Sequence, residues 1–144
     1  MQRIAIACDH TGYELKETIK SFLIEQLKVE VFDFGTDSKV SVDYPIYGKK
    51  VAEAVAKQMA DKGIIICGTG IGISISANKV KGIRAALCYD VYTAIMSRKH
   101  NDANVLAIGA RTTLLENALA IVGAWLATDF EYGRHENRVK MIEN

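Results

Sequence analysis

The stretch GIIICGTGIGISISANK, Gly63 to Lys79, joins an apolar run to a helical pattern through a glycine-rich turn. The run Gly63–Cys67 is typical of a strand that is buried on both faces of a sheet. A helix is predicted to begin near Gly70 and to end near Lys79. Glycines stand at every second position of the turn, at Gly68, Gly70 and Gly72. A strand that feeds a helix in this way indicates an α/β protein.

The same alternation of strand and helix patterns continues along the whole chain. Four further segments are predicted to be strands: Arg3–Cys8, Val29–Phe34, Ile83–Cys88 and Asn104–Gly109. Besides the helix at 70–79, helical spacing is found at about 15–27, 47–55, from about 90, 113–127 and 135–143. Pro45 is expected in the loop before the second helix. Alternating elements predict a single Rossmann-like three-layer α/β/α sandwich around a five-stranded parallel sheet.

Length and composition limit the kind of protein this is. A chain of 144 residues without a composition shift is expected to form one domain, 1–144. A net charge of +1 argues against a general nucleic-acid or membrane-binding surface. No apolar run approaches the roughly 18 residues of a membrane span, and the start of the chain has no signal-peptide pattern. Three cysteines without metal-like spacing favour free thiols and a cytoplasmic location.

The glycine turn excludes two familiar nucleotide sites. Its pattern is G-x-G-x-G after the third strand, whereas the dinucleotide fingerprint is G-x-G-x-x-G after the first strand, and no P-loop pattern occurs. A strand-to-helix turn rich in glycine can point its backbone N–H groups inward, next to a helix N-terminus. Such a turn suits a negative charge, either a phosphate or an oxyanion that develops during a reaction.

Cys67 lies at the start of this turn, where a thiolate is stabilised and can act as a base or nucleophile. The alternative is that Cys67 only packs, as most free cysteines do. Cys8 and Cys88 have no comparable glycine turn and are expected to pack.

Other polar clusters stand near predicted element ends. Because ligands bind beyond the carboxyl ends of parallel strands, Cys8–His10, Cys67–Gly72 and Gly109–Arg111 are expected on one edge of the sheet. Alone, Asp9 and His10 favour a structural role, and Arg98–Asp102 fits helix capping. Arg134 and Arg138 share a helical face that suits a phosphate, or they form a solvated charge cluster.

Six segments in combination resemble the family of type B ribose-5-phosphate isomerases, which includes galactose-6-phosphate isomerase subunits. The segments are CDHTGYELK, SVDYP, IIICGTGIGISISANK, GIRAALC, SRKHNDANVLAIGAR and GRHENRV, and they span residues 8–139 in the family's order. Some family members lack the cysteine and use a carboxylate in the turn. This chain has Cys67, so it is similar to the cysteine branch.

The resemblance implies interconversion of D-ribose 5-phosphate and D-ribulose 5-phosphate through a cis-enediolate, with no metal or organic cofactor. It implies that Cys67 is the base, that His100 opens the sugar ring, and that the Thr69 hydroxyl and the turn amides bind the enediolate oxygen. The residues implied to bind substrate are Asp9, His10, Tyr44, Gly68, Gly70, Ile71, Gly72, Asn101, Arg111, Arg134 and Arg138.

Cys67 and His100 are predicted to lie at opposite ends of the sheet, because one ends a strand and the other precedes one. They can meet only if a second subunit brings its His100 to this Cys67, so we expect a homodimer with active sites at the interface. The tail, about 128–144, is expected to pack there, and the sequence leaves open whether dimers form a tetramer. Two alternatives remain: a six-carbon substrate such as allose 6-phosphate or galactose 6-phosphate, and a non-catalytic phosphosugar-binding protein.

Overall fold

One parallel sheet of five strands organises the chain, and the computed structural model describes all 144 residues. The strands are β1 Arg3–Cys8, β2 Glu30–Asp33, β3 Lys62–Cys67, β4 Ala85–Leu87 and β5 Val105–Gly109. The helices are α1 Tyr13–Glu25, α2 Tyr44–Ala56, α3 Ile71–Asn78, α4 Val91–Asn101, α5 Leu115–Ala127 and α6 Arg134–Glu143, and a 3₁₀ turn at His10–Gly12 precedes α1. The predicted α/β sandwich is confirmed.

The strand order is β2-β1-β3-β5-β4, with every neighbouring pair parallel. The chain moves outward from β1 to β2 and then crosses back to β3 on the other side of β1. The order therefore reverses between β1 and β3, where α/β proteins of this kind bind ligands beyond the carboxyl ends of the strands. The chain then places β5 between β3 and β4, so the end of β5 lies next to the end of β3 as well.

Both faces of the sheet are apolar, which explains the nearly unbroken hydrophobic runs of the central strands. Alternate residues such as Ile64 and Ile66 pack with α1, α4 and α5, and their neighbours Ile65 and Cys67 pack with α2 and α3. Trp125 on α5 is fully buried in the first layer. A period of two therefore assigns each strand residue to one of two cores, and Cys67 belongs to the α2–α3 side.

Several sequence-based boundaries need correction. Tyr44 and Pro45 lie in the first turn of α2 rather than in the preceding loop, because proline at this point has no N–H that the helix would need. The strand predicted at Ile83–Cys88 is shorter, and Cys88 follows it instead of ending it. Asp102, with φ of 46°, caps the C-terminus of α4, and Asn101 is the last helical residue.

The C-terminal helix α6 packs against α4 of the same chain. Arg84, which lies before β4, forms ion pairs with Asp102 at the end of α4 and with Glu143 at the end of α6. No helix in the structure combines the length and the apolar character that crossing a membrane requires.

Candidate active site

The glycine turn between β3 and α3 lies at the point where the strand order reverses. Gly70 adopts a left-handed conformation with φ of 78°. A methyl group at Gly70 would lie 2.5 Å from Leu87 Cδ1 and 2.9 Å from the carbonyl carbon of Ile108. Only glycine meets both conditions, so the sequence pattern reflects a tight turn pressed against the end of β5.

Cys67 ends β3 with its side chain on the turn, and only 4% of the residue is exposed. Its Sγ accepts a hydrogen bond from the Gly70 N–H at 3.2 Å. A donor held at that distance stabilises negative charge on the sulfur, since an N–H dipole points its positive end at it. The turn therefore directs one of its amides at the Cys67 sulfur.

The amides of the turn divide into two groups. Gly70 N–H points to Cys67, and Ile71 N–H donates to Thr69 Oγ1 at 3.2 Å. The N–H groups of Gly68, Thr69 and Gly72 donate to no acceptor within the chain. This refines the expectation that all five amides bind an oxyanion. The Thr69 hydroxyl accepts this hydrogen bond and donates to no acceptor within the chain, so its hydrogen can bind a ligand.

The end of β1 brings a second set of polar groups beside the turn. Asp9 Oδ1 accepts hydrogen bonds from the Thr11 N–H at 3.0 Å and from the Thr11 hydroxyl at 2.5 Å. The Val42 N–H donates to His10 Nδ1 at 3.1 Å. When neutral, His10 therefore carries its proton on Nε2 and can donate that hydrogen to a ligand.

Tyr44 and Arg111 complete this edge of the sheet. The ring of Tyr44 packs on Gly72 so closely that a methyl group at Gly72 would lie 2.5 Å from ring carbons. Arg111 follows β5, and its guanidinium lies against Gly68, where a methyl group would be 3.5 Å from Nη1. Its backbone N–H donates to Gly68 O at 2.9 Å, which fixes the residue beside the turn.

These groups surround an open cavity of about 630 Å³. The cavity is lined by Asp9, His10, Thr11, Tyr44, Cys67, Gly68, Thr69, Ile71, Gly72, Ile75 and Arg111. Nine of the residues predicted from the sequence line it, and Gly70 is buried behind it. The prediction that the ends of β1, β3 and β5 share one edge is confirmed.

The sequence reasoning missed two lining residues, Thr11 and Ile75. Thr11 lies within the CDHTGYELK segment, and its side chain holds Asp9. The signal for Ile75 is helical spacing: it stands four residues after Ile71, and both side chains are exposed on α3.

His100 lies in a separate cluster with His135 and Glu131. The two imidazole rings stack with their centroids 4.2 Å apart and their planes 16° from parallel. Glu131 Oε1 is 3.8 Å from His135 Nε2, which is buried and has no hydrogen-bond partner. Burial, then the proximity of His100 and Arg134, lowers the pKa of His135.

These three side chains are also the only group of three metal-ligating side chains that lie close together in the structure. Their ligand atoms lie within 4.8 Å of one another. Donors that share one tetrahedral zinc stand roughly 3.4 Å apart, as bond lengths near 2.1 Å require. The side chains would have to move to hold an ion.

The structure does not bring His100, Asn101, Arg134 and Arg138 to the cavity at Cys67. In the sheet, Cys67 pairs with Gly109, whereas the amide of Gly63 at the other end of β3 binds Asn104 O at 3.0 Å. Asn104 follows the end of α4 by three residues, and four residues of strand extend for about 13 Å. The predicted separation of Cys67 and His100 within one chain is confirmed.

The other two cysteines lie in different surroundings. Burial raises the pKa of Cys8 to about 12, a change that the nearby Lys16 partly offsets. Burial also raises the pKa of Cys88. Neither residue lines the cavity, so the prediction that both pack is consistent with the structure.

Known proteins resemble the chain along nearly its full length. The sequence profile of a family described as Ribose/Galactose Isomerase matches residues 4–142. Ribose-5-phosphate isomerase B of Escherichia coli K12 is 54% identical over 99% of this chain and 95% of its own length.

Solved structures also resemble the chain along nearly its full length. Ribose-5-phosphate isomerase B of Clostridium thermocellum superposes with a TM-score of 0.97 at 56% identity, covering 99% of this chain and 95% of that chain. The Mycoplasma genitalium ribose-5-phosphate isomerase B, whose crystal structure has ribulose-5-phosphate bound, superposes with a TM-score of 0.93 at 40% identity, covering 98% and 93%.

Proposed function

We propose that this chain, which belongs to the ribose/galactose isomerase family, is an aldose–ketose isomerase of ribose 5-phosphate with Cys67 as its catalytic base. The reaction interconverts D-ribose 5-phosphate and D-ribulose 5-phosphate through a cis-enediolate. The Cys67 thiolate removes the proton from C2 of the open-chain aldose, and the same thiol then delivers it to C1. The proton of the C2 hydroxyl moves to the oxygen on C1, so that the C2 carbonyl of the ketose forms.

The enediolate oxygen is stabilised by donors that the turn leaves free. Gly68, Thr69 and Gly72 each have an N–H without an acceptor in the chain, and the Thr69 hydroxyl can donate as well. Gly70 N–H stays on the sulfur at 3.2 Å. Donors that are in place before the charge develops lower the barrier, because they need no reorganisation in the transition state.

Asp9, His10 and Tyr44 hold the sugar beside the base. Asp9 presents the carboxylate oxygen that Thr11 does not bind, and His10 presents its Nε2 hydrogen. Hydroxyl groups of a sugar both donate and accept, so the pair can bind neighbouring oxygens. Tyr44, packed on Gly72, closes one side of the cavity.

A second subunit supplies the ring-opening group. His100 moves a proton between the ring oxygen and the anomeric hydroxyl, a role suited to imidazole near neutral pH. Since His100 is remote from Cys67 within one chain, the active site is formed between two subunits of a homodimer. The exposed Ile71 and Ile75 at the cavity edge suit coverage by a partner.

Asn101 binds the sugar hydroxyls and the ring oxygen beside His100, and Arg134 and Arg138 bind the phosphate. Arg134 and Arg138 belong to α6, whose His135 stacks on His100. Both arginines therefore come from the same subunit as His100. Arg111 approaches from the Cys67 side. Arginines from both subunits would bind the phosphate dianion, which explains how a protein of net charge +1 selects an anionic sugar.

The proposal includes a cytoplasmic location, which suits a protein whose three cysteines are all free thiols.

One observation carries the proposed role of Cys67: a thiol at the strand-order reversal, hydrogen-bonded by Gly70 N–H, opens onto a cavity with unpaired amides. We expect Cys67→Ala to reduce kcat for ketose formation from ribose 5-phosphate by about 10⁴-fold, because the base is lost. A coupled assay for ribulose 5-phosphate measures this, with Cys88→Ala as the control.

If the Cys67→Ala variant exchanged the C2 hydrogen of the substrate with solvent deuterium as fast as the wild type, Cys67 would not be the base. A parallel assay with allose 6-phosphate and galactose 6-phosphate distinguishes the five-carbon from the six-carbon reaction.

A further inference from the structure

Lys16 is a buried lysine that the proposed reaction does not use. It lies on α1 with 1% of its surface exposed, and its Nζ is 2.8 Å and 2.7 Å from the two carboxylate oxygens of Asp33. Glu17 approaches the same Nζ at 3.2 Å. Lys16 is the buried member of this ion pair, whereas the Asp33 side chain is 24% exposed. Burying an ammonium group costs free energy that its ion pairs only partly offset, so its presence points to a more specific role.

Asp33 connects this pair to the backbone that follows β2. Its Oδ1 also accepts the Gly35 N–H at 2.8 Å. Burial alone would raise the pKa of Asp33, but hydrogen bonds from Lys16, Lys20 and the Gly35 N–H outweigh it and lower that pKa. The carboxylate therefore stays charged and holds Gly35 in place.

Gly35 and Thr36 are in turn bound to the end of β1. Cys8 N–H donates to Gly35 O at 2.7 Å, and Thr36 N–H donates to Cys8 O at 2.9 Å. These bonds extend the pairing of β1 and β2 as far as the residue before Asp9. The loop 34–43 thus begins from a point that Lys16 fixes.

The same loop ends on the active site. Val42, near its end, donates its N–H to His10 Nδ1 at 3.1 Å and so decides which nitrogen of the ring carries the proton. An exposed ion pair between Lys39 and Glu14 also joins the loop to α1. The loop is therefore attached to the Lys16–Asp33 pair at its start, to α1 in its middle and to His10 near its end.

We propose that Lys16, through Asp33 and the loop 34–43, is a positioning residue that keeps His10 in the tautomer presenting Nε2–H to the sugar. The inference rests on the proposed function insofar as it takes His10 as a substrate ligand. Lys16 touches neither the cavity nor the substrate and acts only through the loop.

Lys16→Met tests the proposal, with Lys20→Met as the matched control. Lys20 binds the same carboxylate at 2.9 Å but is 29% exposed in its side chain. The tautomer of His10 is read from ring-nitrogen NMR at a pH where the ring is neutral, and only three histidines need assignment.

In Lys16→Met we expect the two ring nitrogens of His10 to show averaged signals, and kcat/KM for ribose 5-phosphate to fall about tenfold. In Lys20→Met we expect the His10 signals to match those of the wild type and kcat/KM to stay within about twofold of it. Asp33→Asn, which keeps the shape of the side chain, is expected to act like Lys16→Met and decides the matter if Lys16→Met does not fold.

A role in stability alone would lower Tm and leave the His10 signals unchanged, and that result in a folded variant would overturn the proposal. Equal effects of Lys16→Met and Lys20→Met would overturn it as well. The NMR result does not depend on turnover, whereas failure of the wild-type protein to isomerise ribose 5-phosphate would contradict the proposed function instead.

Discussion

The two functional regions differ in how complete they are. The cavity at Cys67 has a thiol, free amides and polar side chains near strand ends, and it is open to solvent. The cluster at His100 has stacked imidazoles on α4 and α6 and two arginines on α6. The comparison teaches that the proposed base and the proposed ring-opening group lie at opposite ends of the sheet within one chain.

After Cys67→Ala, His100→Asn has the largest expected effect, and it separates the two regions. We expect net conversion of ribose 5-phosphate to fall about 10³-fold, because the cyclic aldose must open first. Ribulose 5-phosphate cannot form a five-membered ring, since its terminal oxygen carries the phosphate. Solvent deuterium should therefore still enter C1 of the ketose at near the wild-type rate, as NMR can measure. Equal loss of exchange and conversion would show that His100 does not act on the ring.

Subunit exchange provides the control for this comparison. A mixture of Cys67→Ala and His100→Asn proteins forms hybrids with one intact and one doubly altered site. We expect about a quarter of wild-type activity, because half of the dimers are hybrids and half of their sites are intact. Proven exchange without recovery would contradict a shared site.

Gly70→Ala tests whether the shape of the turn at Cys67 matters. Its methyl group would press on Leu87 and on the backbone of Ile108, which should displace the N–H that faces the sulfur. We expect about 10²-fold loss of kcat and about 1–3 kcal/mol loss of unfolding free energy. Chemical denaturation and the coupled assay measure these.

Gly82→Ala is the matched control for Gly70→Ala. Gly82 has a similar φ of 86°, but a methyl group there meets nothing within 4 Å. It should cost only the strain of the left-handed conformation, about 1 kcal/mol, and leave kcat unchanged. Equal kcat in the two variants would show that the turn geometry is not needed.

The smallest expected effect concerns pH and the His100 region. Because the pKa of His135 is lowered in the folded protein, the unfolded chain binds more protons just below pH 6.5. The contribution of His135 to stability is therefore complete above pH 6.5 and declines as the pH falls. When the pH is lowered from 7.5 to about 5.5, the Tm of His135→Gln should therefore decrease less than the Tm of the wild type.

Lys140→Met, exposed on the same helix, controls for a general change of charge in that scan. Parallel Tm curves for His135→Gln and wild type would contradict the assignment.

The sequence by itself determined the class of fold and nine of the residues that line the cavity. Consecutive apolar strand residues such as Ile64 and Ile65 point to opposite faces of the sheet, and each face needs an apolar layer to cover it. A sheet between two layers of helices therefore follows from the pattern alone. The glycines after Cys67 likewise mark a turn that larger residues cannot form. Pro45 shows the limit of such local signals, because proline suits a loop and the first turn of a helix equally well.

Only the tertiary structure decided what stands next to what. Strand order is set by the packing of distant segments, and inserting β5 beside β3 is what brings Arg111 against Gly68. Lys16 has no local mark of burial, since its ion pair with Asp33 joins residues 17 apart. The orientation of His10 depends on Val42, 32 residues away. Residue types and spacing record local conformational preferences, whereas these contacts follow from how the whole chain fills space.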